Sequence, residues 1–282
     1  MNPRSKGRRC FATLTHWLLP CLLPALSPLV SAVDAPPLSA RDYPRLWWDD
    51  AASTLTAPVR WDGRDWLIFS ADSIAVVGAA ALLDRPLRNW TQRNTGSSWE
   101  KAVNHFEILG STGSFAVIGG FYLEGIINHD PQAENTAVDA LSASIVAAGI
   151  ITPLLKEVAG RSRPEEHQGA YHFRPFNGGA SFPSGHATQA FAVASVVSLH
   201  YDSPWVGGAA YAMAGLVCLA RMDHNAHFAS DVLAGAVIGT TVGRSLVRLN
   251  EARRTEQAGR TAVAFAPWVT RAGSGLAISV DY

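Results

Sequence analysis

The stretch Phe182-Pro183-Ser184-Gly185-His186 opens an Ala/Val-rich run and sets an ionisable ring at the start of an apolar helix. A helix start presents unpaired backbone N–H groups and the positive end of the peptide dipole, which suits an anion. Ser184 can cap and donate, Gly185 leaves the backbone open to a ligand, and His186 can exchange a proton near neutral pH. Positive charge stands upstream in KEVAGRSRP, where six residues separate Lys156 from Arg163. Arginine supplies a planar fork for phosphate oxygens and lysine a compact point charge. Arg161 and Arg174, close by, could assist, but they read first as solvated surface arginines. Downstream, ARMDHNAHFASD carries Arg221, His227 and Asp231. His227 and Asp231 are four apart and share a helix face, so the carboxylate can accept the Nδ1 proton and leave Nε2 as a nucleophile. His224 and His227 are three apart, but no Cys or carboxylate framework accompanies them, and no metal site is expected.

Helices must bring these three blocks together. Apolar residues make up 48% of the 282-residue chain and charged residues 16%, with abundant Ala and Gly, a composition for packed helices rather than a large sheet. Six apolar segments span roughly 67–83, 108–127, 137–155, 187–199, 205–220 and 232–247. The Lys156–Arg163 and Ser184–His186 blocks fall between the third and fourth segments, the Arg221–Asp231 block between the fifth and sixth. Two antiparallel helices separate these connections, so all the blocks return to one end of a bundle.

Whether that bundle sits in lipid or in water stays open at this stage. Mean hydropathy is only +0.08, several uncharged stretches fall short of a bilayer, and Asp72 and Glu124 interrupt the first two segments. Basic residues flank both sides of any alternating topology, with Arg85, Arg88, Arg93 and Lys101 on one and Arg244, Arg248, Arg253 and Arg254 on the other. A formal net charge of zero gives no reason to expect nucleic acid as a partner.

With those residues in place, the chain closely resembles the type 2 phosphatidic acid phosphatase / vanadium haloperoxidase superfamily. That family's pattern is Lys, six residues, Arg-Pro; then Pro-Ser-Gly-His; then Ser-Arg, five residues, His, three residues, Asp. Here it stands as Lys156…Arg163-Pro164, Pro183-Ser184-Gly185-His186 and Arg221…His227…Asp231. Ala220 replaces the usual Ser, which removes a hydroxyl but no charge, nucleophile or acid. The resemblance implies an all-α bundle of about six core helices and a phosphatase acting on a monoester or pyrophosphate, with a lipid phosphate preferred. It agrees with the residue chemistry on roles. His227 would attack phosphorus, Asp231 would stabilise its ring, and His186 would act as acid and then base. Lys156, Arg163, Ser184, Gly185 and Arg221 would hold the phosphate oxygens. No cofactor is expected, vanadate entering only as an inhibitor or in a haloperoxidase. A soluble periplasmic acid phosphatase of broad specificity is the alternative; a vanadate-dependent haloperoxidase and a non-catalytic membrane scaffold rank below it.

The remaining segments complete the expected organisation. Arg4, Lys6, Arg8 and Arg9 precede a long apolar stretch ending at Val30-Ser31-Ala32, so residues 1–32 read as a signal peptide, or else an anchor helix. Residues 33–66 read as an irregular lead-in, 67–250 as the helical phosphatase domain, and 251–282 as a tail with a β-hairpin docked on the helices. Cys10 and Cys21 lie in the leader, leaving Cys218 alone in the mature chain as a small core residue. The protein is therefore expected to be exported to the cell envelope with its site facing the periplasm or exterior. Six crossings after an exported N-terminus would put the site on the other side, so either a weak segment, such as that holding Asp72, does not cross, or residues 1–32 are not an export leader.

Overall fold

A computed structural model describes residues 40–94 and 105–258, together with the backbone of 262–270 and 273–281. The leader expected over residues 1–32 lies outside the described residues. The architecture is an all-α bundle, and each of the six apolar segments forms helix. They are α2 (Gly63–Leu82), α4 (Thr112–Asn128), a rod made of α5 (Pro131–Ala143), a π-helical stretch (Ser144–Ile151) and α6 (Thr152–Ala159), then α7 (Gly185–His200), α8 (Pro204–Asp223) and α9 (Ala229–Ala258).

Two further α-helices are α1 (Tyr43–Leu55) and α3 (Asp84–Arg93). The first corrects the expectation of an irregular lead-in. Pro44 sits in the first turn, where a missing N–H costs nothing. Tyr43, Leu46 and Asp50 form the buried stripe at helical spacing. Its last member is a carboxylate, so the stripe does not look apolar in the sequence. The helix packs Tyr43 and Leu46 on Val138 and donates the Tyr43 hydroxyl to Glu134 Oε1 at 2.9 Å.

Helix α7 has no polar stripe because it is surrounded. Ala192, Val193, Val196 and Val197 join Ala140, Ala143, Val146 and Ala147 of the third rod and Val242 and Leu246 of α9 in the main core. Ala190 and Ala194 meet Ala214 and Val217 of α8. The closest contact is a seam of small residues between α7 and α9. Gly235, Gly239 and Gly243 lie four apart, and a Cβ on them would run into the Ser184 carbonyl, the Thr188 carbonyl and the Ser195 hydroxyl respectively. Glycine at these positions lets the two backbones touch.

At the end of the bundle remote from the start of α7, a buried ionic cluster ties four helices. Asp139 of α5 accepts from Arg254 Nη2 at 2.8 Å, His200 Nε2 at 2.8 Å and Asn250 Nδ2 at 3.0 Å. Asp50 of α1 accepts from Arg253 at 2.5 Å and Asn250 at 3.1 Å. Two of the basic residues that blurred the charge asymmetry therefore serve internal carboxylates.

Four helical rods, Gly63–Leu82, Pro131–Ala159, Pro204–Asp223 and Ala229–Gln257, are long and apolar enough to cross a membrane. Helix α2, which carries Asp72, is among them, contrary to its ranking as a weak segment; α4 and α7 are the short ones, with 17 and 16 residues. Large apolar side chains point outward, including Phe69, Ile74 and Val77 on α2, Leu123 and Ile127 on α4, and Leu154 on α6. Beyond α9, β1 (Ala262–Thr270) pairs antiparallel with β2 (Gly273–Asp281), placing Phe265 opposite Ile278. Side chains of this hairpin, and with them its expected docking on the helices, lie outside the described residues. Cys218 is a free thiol, partly buried in α8.

Candidate active site

Four helix ends and the loops between them build the site. Lys156 lies in the last turn of α6, Ser184 caps α7, Arg221 lies in the last turn of α8, and Asp231 lies in the first turn of α9. Gly160 adopts the left-handed conformation at φ +56° to end α6, and a Cβ there would collide with the Arg174 carbonyl. This turn sends the chain from Arg161 to Arg163 across the end of the bundle. Ser184 Oγ accepts from Ala187 N at 3.4 Å, and Ser184 N donates to the Asp231 carbonyl at 3.0 Å, joining the starts of α7 and α9.

The structure brings together the residues singled out in the sequence. His186 lies within the electrostatic reach of Arg221, His227 and Lys156, and Lys156 within that of Arg163, Arg221 and Asp231. Burial, reinforced by those cations, pushes the His186 imidazole down to about 4. Burial also lowers the His227 imidazole, against the pull of the Asp231 carboxylate. The His227–Asp231 pair shows a looser geometry than helical spacing suggests. Asp231 Oδ2 lies 3.8 Å from His227 Nδ1, beyond hydrogen-bond length, so the carboxylate acts on the ring through charge. Nε of Arg163 and Nε of Arg221 are buried without hydrogen-bond partners, leaving donors free in the cationic pocket. Lys156 Nζ donates to the Ala180 carbonyl. Gly185 is open on its outer side, since a Cβ there would meet only Thr152 Cγ2, at 3.8 Å.

Among the described residues no group of three or more His, Cys, Asp or Glu side chains is arranged to hold a metal. His224, the possible partner of His227 for a metal, instead meets Glu107 Oε2 through Nδ1 at 2.7 Å.

Three residues of this region escaped the sequence reading. Arg161, taken for a surface residue, is 1% exposed. Its guanidinium bridges Asp84 Oδ2 and Asp231 Oδ1, each at 2.6 Å, donates to Ser230 Oγ at 2.7 Å, and lies 4.3 Å from the Phe228 ring centroid. Arg174, by contrast, is exposed as expected. Asp231, thus held by Arg161, also accepts from Ser181 Oγ at 2.5 Å and Phe228 N at 2.8 Å, so its carboxylate has no freedom to turn. Arg88 of α3 stitches two site loops, donating to Asn225 Oδ1 at 2.9 Å and the Pro164 carbonyl at 2.7 Å. Glu107 pairs with Arg221 as well as His224. Beside Gly185 and Gln189 opens a groove of about 410 Å³, walled by Phe115, Ile145, Ala148 and Ile150 from α4 and the π-helical stretch.

The PAP2 superfamily model matches residues 138–255, the part of the chain that carries every one of the motif residues above. This matched segment is similar to the PAP2 superfamily. Among curated relatives, the lipid A 1-phosphatase of Porphyromonas gingivalis is 46% identical over 65 residues, 22% of this chain and 15% of that protein. The lipid A 1-phosphatase of Rhizobium etli is 36% identical over 109 residues, 35% of this chain and 44% of that one. Lipid phosphate phosphatase 2 of Arabidopsis thaliana is 29% identical over 160 residues, 45% of this chain and 54% of its own. The chain thus spans less than half the length of the lipid A 1-phosphatases it matches. The crystal structure of a transmembrane PAP2-type phosphatidylglycerolphosphate phosphatase from Bacillus subtilis aligns with TM-score 0.39 at 19% identity, over 75% of this chain and 96% of that one.

Proposed function

We propose that this protein is a membrane-seated phosphatase of the PAP2 type that hydrolyses the phosphate monoester, or pyrophosphate, of a lipid through a phosphohistidine and without a metal. One observation carries the reading: two imidazoles share a pocket lined by Lys156, Arg163 and Arg221, and an apolar groove opens beside it. In the first step His227 Nε2 attacks phosphorus in line, the bond from phosphorus to the leaving oxygen breaks, and His186 gives that oxygen a proton. In the second, His186 takes a proton from water as its oxygen attacks the phosphohistidine, and inorganic phosphate leaves with His227 restored. The Nε donors of Arg163 and Arg221, which are buried without hydrogen-bond partners, the Lys156 ammonium and the N–H groups at the start of α7 would hold the equatorial oxygens. Outward-facing apolar side chains on membrane-length helices favour a lipid substrate over the soluble acid-phosphatase alternative. The groove walled by Phe115 and Ile145 is the natural place for an acyl chain once the headgroup is in the pocket.

The test is phosphate release by the purified full chain in detergent with chelator present, comparing lipid A, phosphatidic acid and a water-soluble aryl phosphate. Release is expected to persist in chelator and to be fastest on a lipid. No release from any of the three would sink the assignment, and loss of activity in chelator would sink its metal-free form.

The basic, apolar leader supports export, with the site facing the periplasm or the exterior. A reporter that works only in the periplasm, fused after Asp231, is expected to be active. Activity from a cytoplasm-only reporter at the same junction would reverse the orientation.

A further inference from the structure

Glu107 begins the short turn Glu107–Gly110 that leads into α4, and its carboxylate lies among groups assigned to the reaction. It pairs with Arg221 Nη1, accepts from His224 Nδ1 at 2.7 Å, and places Oε1 3.8 Å from His186 Nε2. The turn is seated on the start of α7. A Cβ on Gly110 would come within 2.8 Å of the His186 carbonyl, so little can shift between Glu107 and the His186 backbone. Glu107 neutralises a cation that the reaction needs for phosphate. A phosphate dianion and this carboxylate would repel one another across a single guanidinium. Release from Arg221 leaves Oε1 next to the ring that must protonate the leaving group.

We propose that Glu107 is a positioning residue that changes partner: it holds Arg221 while the site is empty and, when phosphate takes Arg221, holds the His186 imidazolium as the acid. This rests on the function proposed above. The groups that act on His186 are Arg221, His227 and Lys156, all cationic or able to become so, and Glu107, the single carboxylate among them. Arg163 acts further on Lys156 and Arg221, Glu165 acts on Arg221, and His224 holds the second Glu107 oxygen. The cations and burial push the His186 ring down, and Glu107 opposes them. Removing its charge therefore makes the protonated ring harder to keep, and the acid is lost at a lower pH.

Glu107→Gln, in the full chain in detergent, tests both halves of the exchange. Binding of inorganic phosphate, read by calorimetry without turnover, is expected to tighten about tenfold because the competing anion is gone. In the kcat–pH profile the alkaline limb is expected to move down by about one pH unit. Glu107→Asp, which keeps the charge, should return the limb toward wild type. Unchanged or weaker phosphate binding would overturn the Arg221 half, and an unmoved limb the His186 half, whatever the thermal stability. A wild-type protein that releases no phosphate would fail the function proposed above, while calorimetry would still judge the competition at Arg221.

Discussion

Replacing His227 with alanine is expected to lower kcat by at least about 10³-fold while leaving KM within a few-fold of wild type. The asymmetry follows from what the substitution spares. Lys156, Arg163, Arg221 and the start of α7 still bind phosphate, so the ground state is held; the atom that would bond to phosphorus is gone. The fold should tolerate the change, because His227 Nδ1 makes no hydrogen bond and its removal orphans no partner. Steady-state phosphate release measures the loss, and trapping of an alkali-stable, acid-labile phosphoprotein reads the intermediate. The wild type should label and the variant should not. Turnover in the variant within about tenfold of wild type would require another nucleophile.

Arg161→Ala is expected to destabilise the protein by about 3–5 kcal/mol, the cost of leaving buried charges uncompensated. Both Asp84 and Asp231 are fully buried, and each loses a 2.6 Å ion pair at once. Arg161→Lys keeps the charge but cannot span both carboxylates, and should recover only part of the loss. Arg174→Ala, at an exposed site thirteen residues on, is the control and should move stability by less than about 0.5 kcal/mol. Thermal unfolding in one detergent compares the three, and equal midpoints for Arg161→Ala and Arg174→Ala would refute the bridging role. Because Asp231 is fixed through this arginine, the variant should also lose activity beyond its loss of folded protein.

The contrast between Arg161 and Arg174 shows what a linear reading holds and what it lacks. Short spacings specify local geometry, so Ser184 as a cap could be read directly, whereas the expected shared helix face of His227 and Asp231 fails because His227 precedes the helix that begins at Ala229. The number of apolar segments gave the parity of crossings, and with it the common end at which the blocks meet. Burial of Arg161 has no local sign, because the carboxylates that satisfy it come from 77 and 70 residues away. Helix α3 was invisible for a related reason: the residues it buries are Asp84 and Thr91, so it has no apolar stripe to betray it. Glu107 and Arg88 had one signal that went unused. Both lie in the connection between the first two apolar segments, and the same parity count places that connection at the site end of the bundle. The looseness between His227 and Asp231 follows from where the helix starts, since His227 lies in the turn before Ala229 and the four-residue spacing there is not helical.

The glycine contact between α7 and α9 has a consequence for how such a protein can diversify. His186 follows the first residue of α7 and His227 stands two residues before α9 begins, so main-chain contact rather than any loop sets the span between the rings. The connections that meet a headgroup can then change length and character without detuning that span. A new substrate would ask for different walls, while the ruler between nucleophile and acid stays in the backbone.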